Sequence, residues 1–389
     1  MKERHFFSKS FDVLSPLMVL CSIFGVCPPV YPKNGPKQNF ELFYKIFSGF
    51  CVLGWIGAAI GVLFLKYELK STVPYSVLVS DYFVHCGLTL VCVTMIISLV
   101  LGFTKGTKLK KIFWLLQNID DKLGYDIKSF KPKIYFGIVF YLTLMVVYVI
   151  YDAFTWITFI GLDWYLLYIP KSLHICQLCL ALLLPMTVLK FIHIRIKLFN
   201  TTLKFYGKTN MKELQVQIKD MKKLHSNLYE LVITFNKVFG TVCFVGTIMV
   251  VGLIIHYVLM LLVYFEFQSE LVGLKKNYVL AQCITGIVLP FMLIMSVATS
   301  GDSVSHEASK TCHICLSLMN RLQWDQNKNL TEDLRELALQ CSFRKTAITA
   351  KRFFSVNHSM LGYVVSSIIA YLIVIVQFLS RSDSQNSTS

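Results

Sequence analysis

Residues 238–265 read VFGTVCFVGTIMVVGLIIHYVLMLLVYF, a run without Asp, Glu, Lys or Arg. A helix crossing a bilayer needs roughly 20 mostly apolar residues, and this run is longer than that. Because it is apolar on every face, such a helix has no side to turn toward water. The residues before it change character. Residues 211–237 read MKELQVQIKDMKKLHSNLYELVITFNK, with Leu214, Ile218, Met221, Leu224, Leu228 and Val232 at helical spacing and charges on the opposite face. Together the two stretches predict one helix that crosses a membrane and continues into water.

Six further stretches are long and apolar enough to cross: 46–65, 72–104, 134–162, 164–189, 277–300 and 358–380. The second and third carry one acid each, Asp81 and Asp152, and Lys171 stands near the start of the fourth. Residues 11–27 are too short to cross and contain Pro16. They are expected to form an interfacial or re-entrant segment, ended by the turn-rich residues 28–32. No small-residue cleavage site follows the N-terminus, so the first span is expected to serve as its own insertion signal. Composition agrees: 55% of the residues are hydrophobic and 15% charged, against about 25% charged in soluble domains. The mean hydropathy is +0.59. The fold expected is all-α and polytopic, with seven transmembrane helices.

The net charge of +16 would suggest nucleic acid in a soluble protein. Its placement gives another reading. The connections 104–133, 190–237 and 300–358 hold 8, 10 and 8 Lys and Arg, whereas 66–74, 158–171 and 266–277 hold 2, 1 and 2. Positively charged connections stay in the cytoplasm. The N-terminus, with Lys2, Arg4 and Lys9, is therefore expected inside, and the tail after Arg381 outside. That orientation is the reverse of a G-protein-coupled receptor, and no nucleic-acid partner is expected. The domains follow: a cytoplasmic N-terminus at 1–45, helices one to six at 46–300, a cytosolic helical anchor at 301–357, a seventh helix at 358–380 and an extracellular tail at 381–389. Within the anchor, 305–322 (SHEASKTCHICLSLMNRL) is amphipathic, and Thr331 reads as the N-cap of a helix running to about Cys341. Most of the twelve Cys lie in apolar runs, so no disulfide framework is expected.

The last stretch contains Ala370-Tyr371-Leu372-Ile373-Val374-Ile375-Val376-Gln377-Phe378. It resembles the C-terminal signature of insect gustatory receptors: Thr-Tyr, five hydrophobic residues, then Gln-Phe. The run Ala350-Lys351-Arg352-Phe353-Phe354-Ser355-Val356 also looks like the stretch preceding the last helix there. Two positions depart from the family: Ala370 replaces the Thr, and Leu372 stands where sugar receptors typically carry Glu. The resemblance implies a tetrameric, ligand-gated, non-selective cation channel in the plasma membrane of gustatory receptor neurons, in the dendrite. It implies that the split seventh helix lines the pore, that cytosolic helix extensions hold the subunits together, and that the tastant binds an outward-facing pocket in each bundle. Bitter or other plant compounds are the implied ligand class. A fructose- or inositol-type ligand, an odorant receptor and a multipass transporter remain as alternatives. Partners implied are a small-molecule tastant, membrane lipid, and further copies or other gustatory receptors in the tetramer.

A pore helix shows one stripe of small or polar groups. Ser366, Ala370, Val374 and Gln377 recur at steps of four, four and three. Gln377 and Phe378 are expected at the gate, and Tyr371, off the stripe, is expected to brace the helix against its own bundle. The alternative leaves Gln377 at an interface and Phe378 against lipid. For the ligand, ionisable groups within spans are costly, about 2.5–3.5 kcal/mol at the helix centre, and so mark sites. Asp81 and Asp152 lead the candidates, with His85, Trp156, Tyr168, Gln177, His256, Tyr257 and Gln282 as outer-half polar or aromatic neighbours. Asp81 and His85, four apart on one face, also suit simple pairing. No Gly-rich phosphate loop, HExxH or G-x-S-x-G occurs, so neither an enzyme nor a cofactor is expected. The Cys312-His313-Ile314-Cys315 run lacks a second ligand pair for zinc.

Overall fold

The computed structural model describes residues 9–24, 103–124, 130–165, 169–206, 211–266, 274–321, 328–344 and 346–386, with positions 26, 46, 50, 53, 54 and 57. The expected spans at 46–65 and 72–104 fall almost wholly outside these residues, as do Asp81, His85 and Tyr168. In chain order the helices are α1 (Lys9–Ile23), α2 (Phe103–Leu123), α3 (Lys131–Ile160), the single-turn α4 (Leu162–Tyr165), α5 (Ile169–Tyr206), α6 (Met211–Glu266), α7 (Leu274–Arg321) and α8 (Lys328–Phe343). Then come strands β1 (Thr349–Ala350) and β2 (Phe354–Ser355), and finally α9 (His358–Asn386).

The run that opened the sequence lies within α6, which is 56 residues long and so spans about 84 Å. A hydrocarbon core of about 30 Å covers less than half of it. The amphipathic residues 211–237 continue the same helix, as expected, and α7 likewise carries 305–321 in one piece with 277–300. Helices α3, α5, α6 and α7 are each long and apolar enough to cross a membrane. Their surroundings differ. Helix α5 is enclosed by its neighbours, with Leu180, Leu182, Val188, Phe191, Ile192 and Phe199 buried. Helix α3 leaves Phe136, Val139, Val147 and Ile150 exposed, a face that suits lipid.

Helices α5, α6 and α7 form the centre of the bundle, and α2 packs mainly along α6. The connections rich in Lys and Arg all lie at one end of the bundle, here termed the basic end. Gly161 and α4, with Glu266 at the end of α6 and Leu274 at the start of α7, mark the far end. At the basic end Arg195, fully buried, pairs with Asp120 at 2.7 Å and donates to Phe191 O at 2.9 Å. This pair ties α2 to α5.

Three expectations need correction. Residues 9–23 do not lie flat on an interface: Val13, Leu14, Leu17, Met18 and Cys21 are buried, against α5, α2 and α3. Gly161, at φ +88, ends α3, and the expected start of the fourth span at 164 falls within α4, residues 166–168 lying outside the described residues. Thr331 is not an N-cap. Helix α8 starts at Lys328, because packing of the fully buried Leu330 and Leu334 on α6 and α7 extends the helix one turn upstream. Lastly, the segment 301–357 is not helical throughout. Thr349 and Ala350 pair antiparallel with Ser355 and Phe354, around left-handed Lys351 and Arg352.

This hairpin is fastened to its neighbours by close approach. Asn236 of α6 donates to Ala347 O and accepts from Thr349 N. At Gly240 a Cβ would stand 3.0 Å from Lys351 N, and at Gly301 it would collide with Val356 O. Both positions thus admit backbone that any larger residue would exclude. Phe244 stacks on Phe353 at 4.6 Å.

Candidate functional site

At the far end α3 and α6 finish, and α5 and α7 begin. Asp152 therefore meets the first turn of α5 and the third turn of α7. Its Oδ2 accepts from Ser172 Oγ at 2.6 Å, and its Oδ1 from Gln282 Nε2 at 2.5 Å and Trp156 Nε1 at 3.1 Å. A carboxylate 4% exposed is tolerated in apolar surroundings only with such donors. Three residues expected at the ligand site, Asp152, Trp156 and Gln282, are thus brought into one network across α3 and α7. Ser172, from α5, was not among them; a lone Ser at a helix start carries no distinguishing signal.

One turn deeper, the Tyr148 and Tyr257 hydroxyls meet at 2.5 Å, joining α3 to α6. A Cβ at Gly286 would overlap the Tyr257 ring at 2.6 Å, so α7 offers a glycine where the ring lies. His256 is also buried, edge-on to Tyr257. Gln177 turns elsewhere: its Nε2 donates to Phe24 O at 3.0 Å, fixing the end of α1. Among the described residues the space around Tyr148 and Tyr257 is a void of about 10 Å³, lined also by Cys179, Leu253, Leu289 and Pro290. That is room for about one water.

The last helix stands apart. Met360 and Val364 are buried and Ile368 partly so, along α6 and α7. Ser366 and Ala370 lie two residues beyond Val364 and Ile368, about 200° around a helix of 3.6 residues per turn. They are exposed, with Val374 and Gln377 in the same row. The small and polar stripe therefore faces away from the chain's own bundle. Phe378 lies in α9, within the helical part only. Tyr371 does not brace the helix: it is 60% exposed, because the contact stripe of Met360, Val364 and Ile368 ends before it.

In the anchor, Cys312 lies 3.2 Å from Ser342 Oγ, and Cys315 is buried. A hydrogen bond with Cys315, and then burial, push the Cys341 thiol well above its usual range. A thiol held protonated is a poor metal ligand.

Residues 14–380 match the family described as 7tm Chemosensory receptor. Gustatory receptor 23a of Drosophila melanogaster is 25% identical over 175 residues, 44% of this chain and 44% of that protein. The aligned part is thus less than half the length of that relative. The fold is similar to the insect olfactory receptor OR5 from Machilis hrabei, with a TM-score of 0.66 at 13% identity, covering 94% of this chain and 98% of that one. The same receptor in complex with eugenol gives a TM-score of 0.60, covering 95% and 100%.

Proposed function

Because this chain belongs to the 7tm chemosensory receptor family, we propose that it is a gustatory receptor, a channel for cations opened by a small tastant at the plasma membrane of taste neurons. The observation that carries the reading is α9. A helix inside a finished monomer would not turn Ser366, Ala370 and Gln377 outward while Val365, Ile369 and Ile373 are also exposed. Four such helices around an axis would give the small and polar stripe a water-filled path, with Gln377 as an amide ring and Val374 and Phe378 as an apolar constriction. Tetramerisation would cover the apolar flanks.

In this reading the basic end is cytosolic, the N-terminus lies inside and the far end faces out. The ligand then approaches Asp152, Trp156 and Gln282 from outside, with Tyr148, Tyr257 and His256 beneath them. A void of about 10 Å³ is far below the roughly 300 Å³ of a small-molecule pocket, so the ligand would have to part these helices, which ties occupancy to a change of conformation. The binding of eugenol by the olfactory receptor supports a small organic ligand. Bitter or plant compounds are the class proposed. The Tyr371…Gln377-Phe378 spacing and the likeness to a gustatory receptor favour taste over smell.

Expression in oocytes with a tastant panel tests this reading. The expected result is a ligand-evoked cation current without added G-protein; slow, G-protein-dependent signals would overturn it. In the responding receptor, Gln377→Ala should shift the reversal potential between Na⁺ and K⁺ or alter open probability. Currents of normal size and selectivity would remove Gln377 from the pore.

A further inference from the structure

At the opposite end of the bundle from the ligand candidates, α5 and α7 leave a groove of about 430 Å³, within the roughly 300–1,000 Å³ of small-molecule sites. Helix α5 lines it with His193, Lys197 and Lys204, and α7 with His306 and Lys310. The groove opens where both helices leave their apolar runs. Lys190 is the first charge after the apolar part of α5, and Asp302 the first after that of α7. His193 Nδ1 donates to Ser303 O at 3.1 Å, locking the helices together at that level, so the basic groups start at headgroup depth and extend along α5 to Lys204, about 21 Å past Lys190.

Among the described residues Glu307 is the one acid of the lining, and its charge is turned inward. Asn200 Nδ2 donates to its Oε1 at 3.1 Å and Lys310 Nζ to its Oε2 at 2.9 Å, and Thr311 Oγ1 in turn donates to Asn200 Oδ1 at 2.7 Å. Those bonds hold Glu307, 8% exposed, against α5. Lys197 and Lys204 are exposed on the groove, with no carboxylate of the lining left to answer them.

We propose that this groove binds a multiply phosphorylated polyol, of the kind carried as an inositol headgroup by cytoplasmic-leaflet lipids or found free in solution. Two flexible ammonium groups and two imidazoles from two helices can surround several phosphates at once, whereas a single carboxylate would leave most of them idle. Basic pockets between membrane helices on the cytoplasmic side suit such headgroups. Occupancy would bridge α5 and α7 at the anchor.

The test uses the full-length receptor purified in detergent, with binding measured for three probes: short-chain phosphatidylinositol bisphosphate, inositol trisphosphate and short-chain phosphatidylserine. The bisphosphate lipid should bind saturably and more tightly than phosphatidylserine. Lys197→Gln with Lys204→Gln should weaken it about thirtyfold, roughly fivefold for each lysine removed. Lys219→Gln with Lys223→Gln, at exposed lysines of α6 outside the groove, should leave it unchanged. Equal binding of inositol trisphosphate would make the free phosphate the source, and binding of the lipid alone would make it the membrane. The proposal is overturned if neither phosphorylated probe saturates, if the groove variant binds as wild type, or if both double variants weaken binding alike. Ligand-evoked currents play no part in these readings, so the site stands or falls independently of the proposed channel function.

Discussion

Arg195→Ala should be the most damaging single substitution in the basic end, costing about 3–5 kcal/mol. The side chain is fully buried and its Asp120 partner, 2.7 Å away, is 10% exposed. Truncating Arg195 takes the guanidinium away from a buried carboxylate between α2 and α5. The readout is the melting temperature of the detergent-purified receptor by size-exclusion chromatography after heating. Asp120→Ala should lower it comparably, whereas Arg195→Leu combined with Asp120→Leu should recover most of the loss, because a matched apolar pair removes both desolvation penalties. A single Arg195→Ala variant as heat-resistant as wild type would show that the pair carries no net stability.

The second large effect is expected at Asp152. Removing its carboxylate leaves Ser172, Trp156 and Gln282 donors without their acceptor, at about 1–3 kcal/mol for each group that stays dry. Asp152→Ala should therefore lower surface expression and abolish ligand-evoked current in what reaches the surface. Asp152→Asn, which keeps the shape and one acceptor oxygen, should be milder. Two roles separate in dose–response curves. If the carboxylate positions three helices, Ser172→Ala and Gln282→Ala shift the half-maximal concentration alike for every active ligand. If it touches the ligand, the shift depends on the ligand's own polar groups. Normal surface levels with an unshifted curve for Asp152→Ala would exclude both.

Much of this was legible because lipid is an unforgiving solvent. A run such as 238–265 admits one conformation in a bilayer, and the helical spacing of 211–237 announced its extension. The same logic pointed to Asp152, since a lone acid in a span needs partners, and two of its three partners were already candidates. Arg195 was misread. It counted as one more loop charge, yet it is buried, and its partner lies 75 residues away on a different helix, a pairing no local pattern encodes. The hairpin at 349–355 escaped for a related reason. Its strands are two residues each, too short for alternation, and its left-handed positions hold Lys351 and Arg352 rather than the Gly or Asn that usually signal such a turn. What holds it is the space left by Gly240 and Gly301, visible only once α6 and α7 are in place.

That docking has a mechanical meaning. Tyr257 and Asn236 ride on the same unbroken α6, about 32 Å apart at 1.5 Å per residue. One touches the outer tyrosine pair, and the other grips the hairpin from which α9 springs. In the channel proposed above, the helix would act as a push-rod. A ligand that slid or rolled the outer end of α6 would carry the hairpin mount with it, and the foot of α9 would follow without any relay of side chains between them.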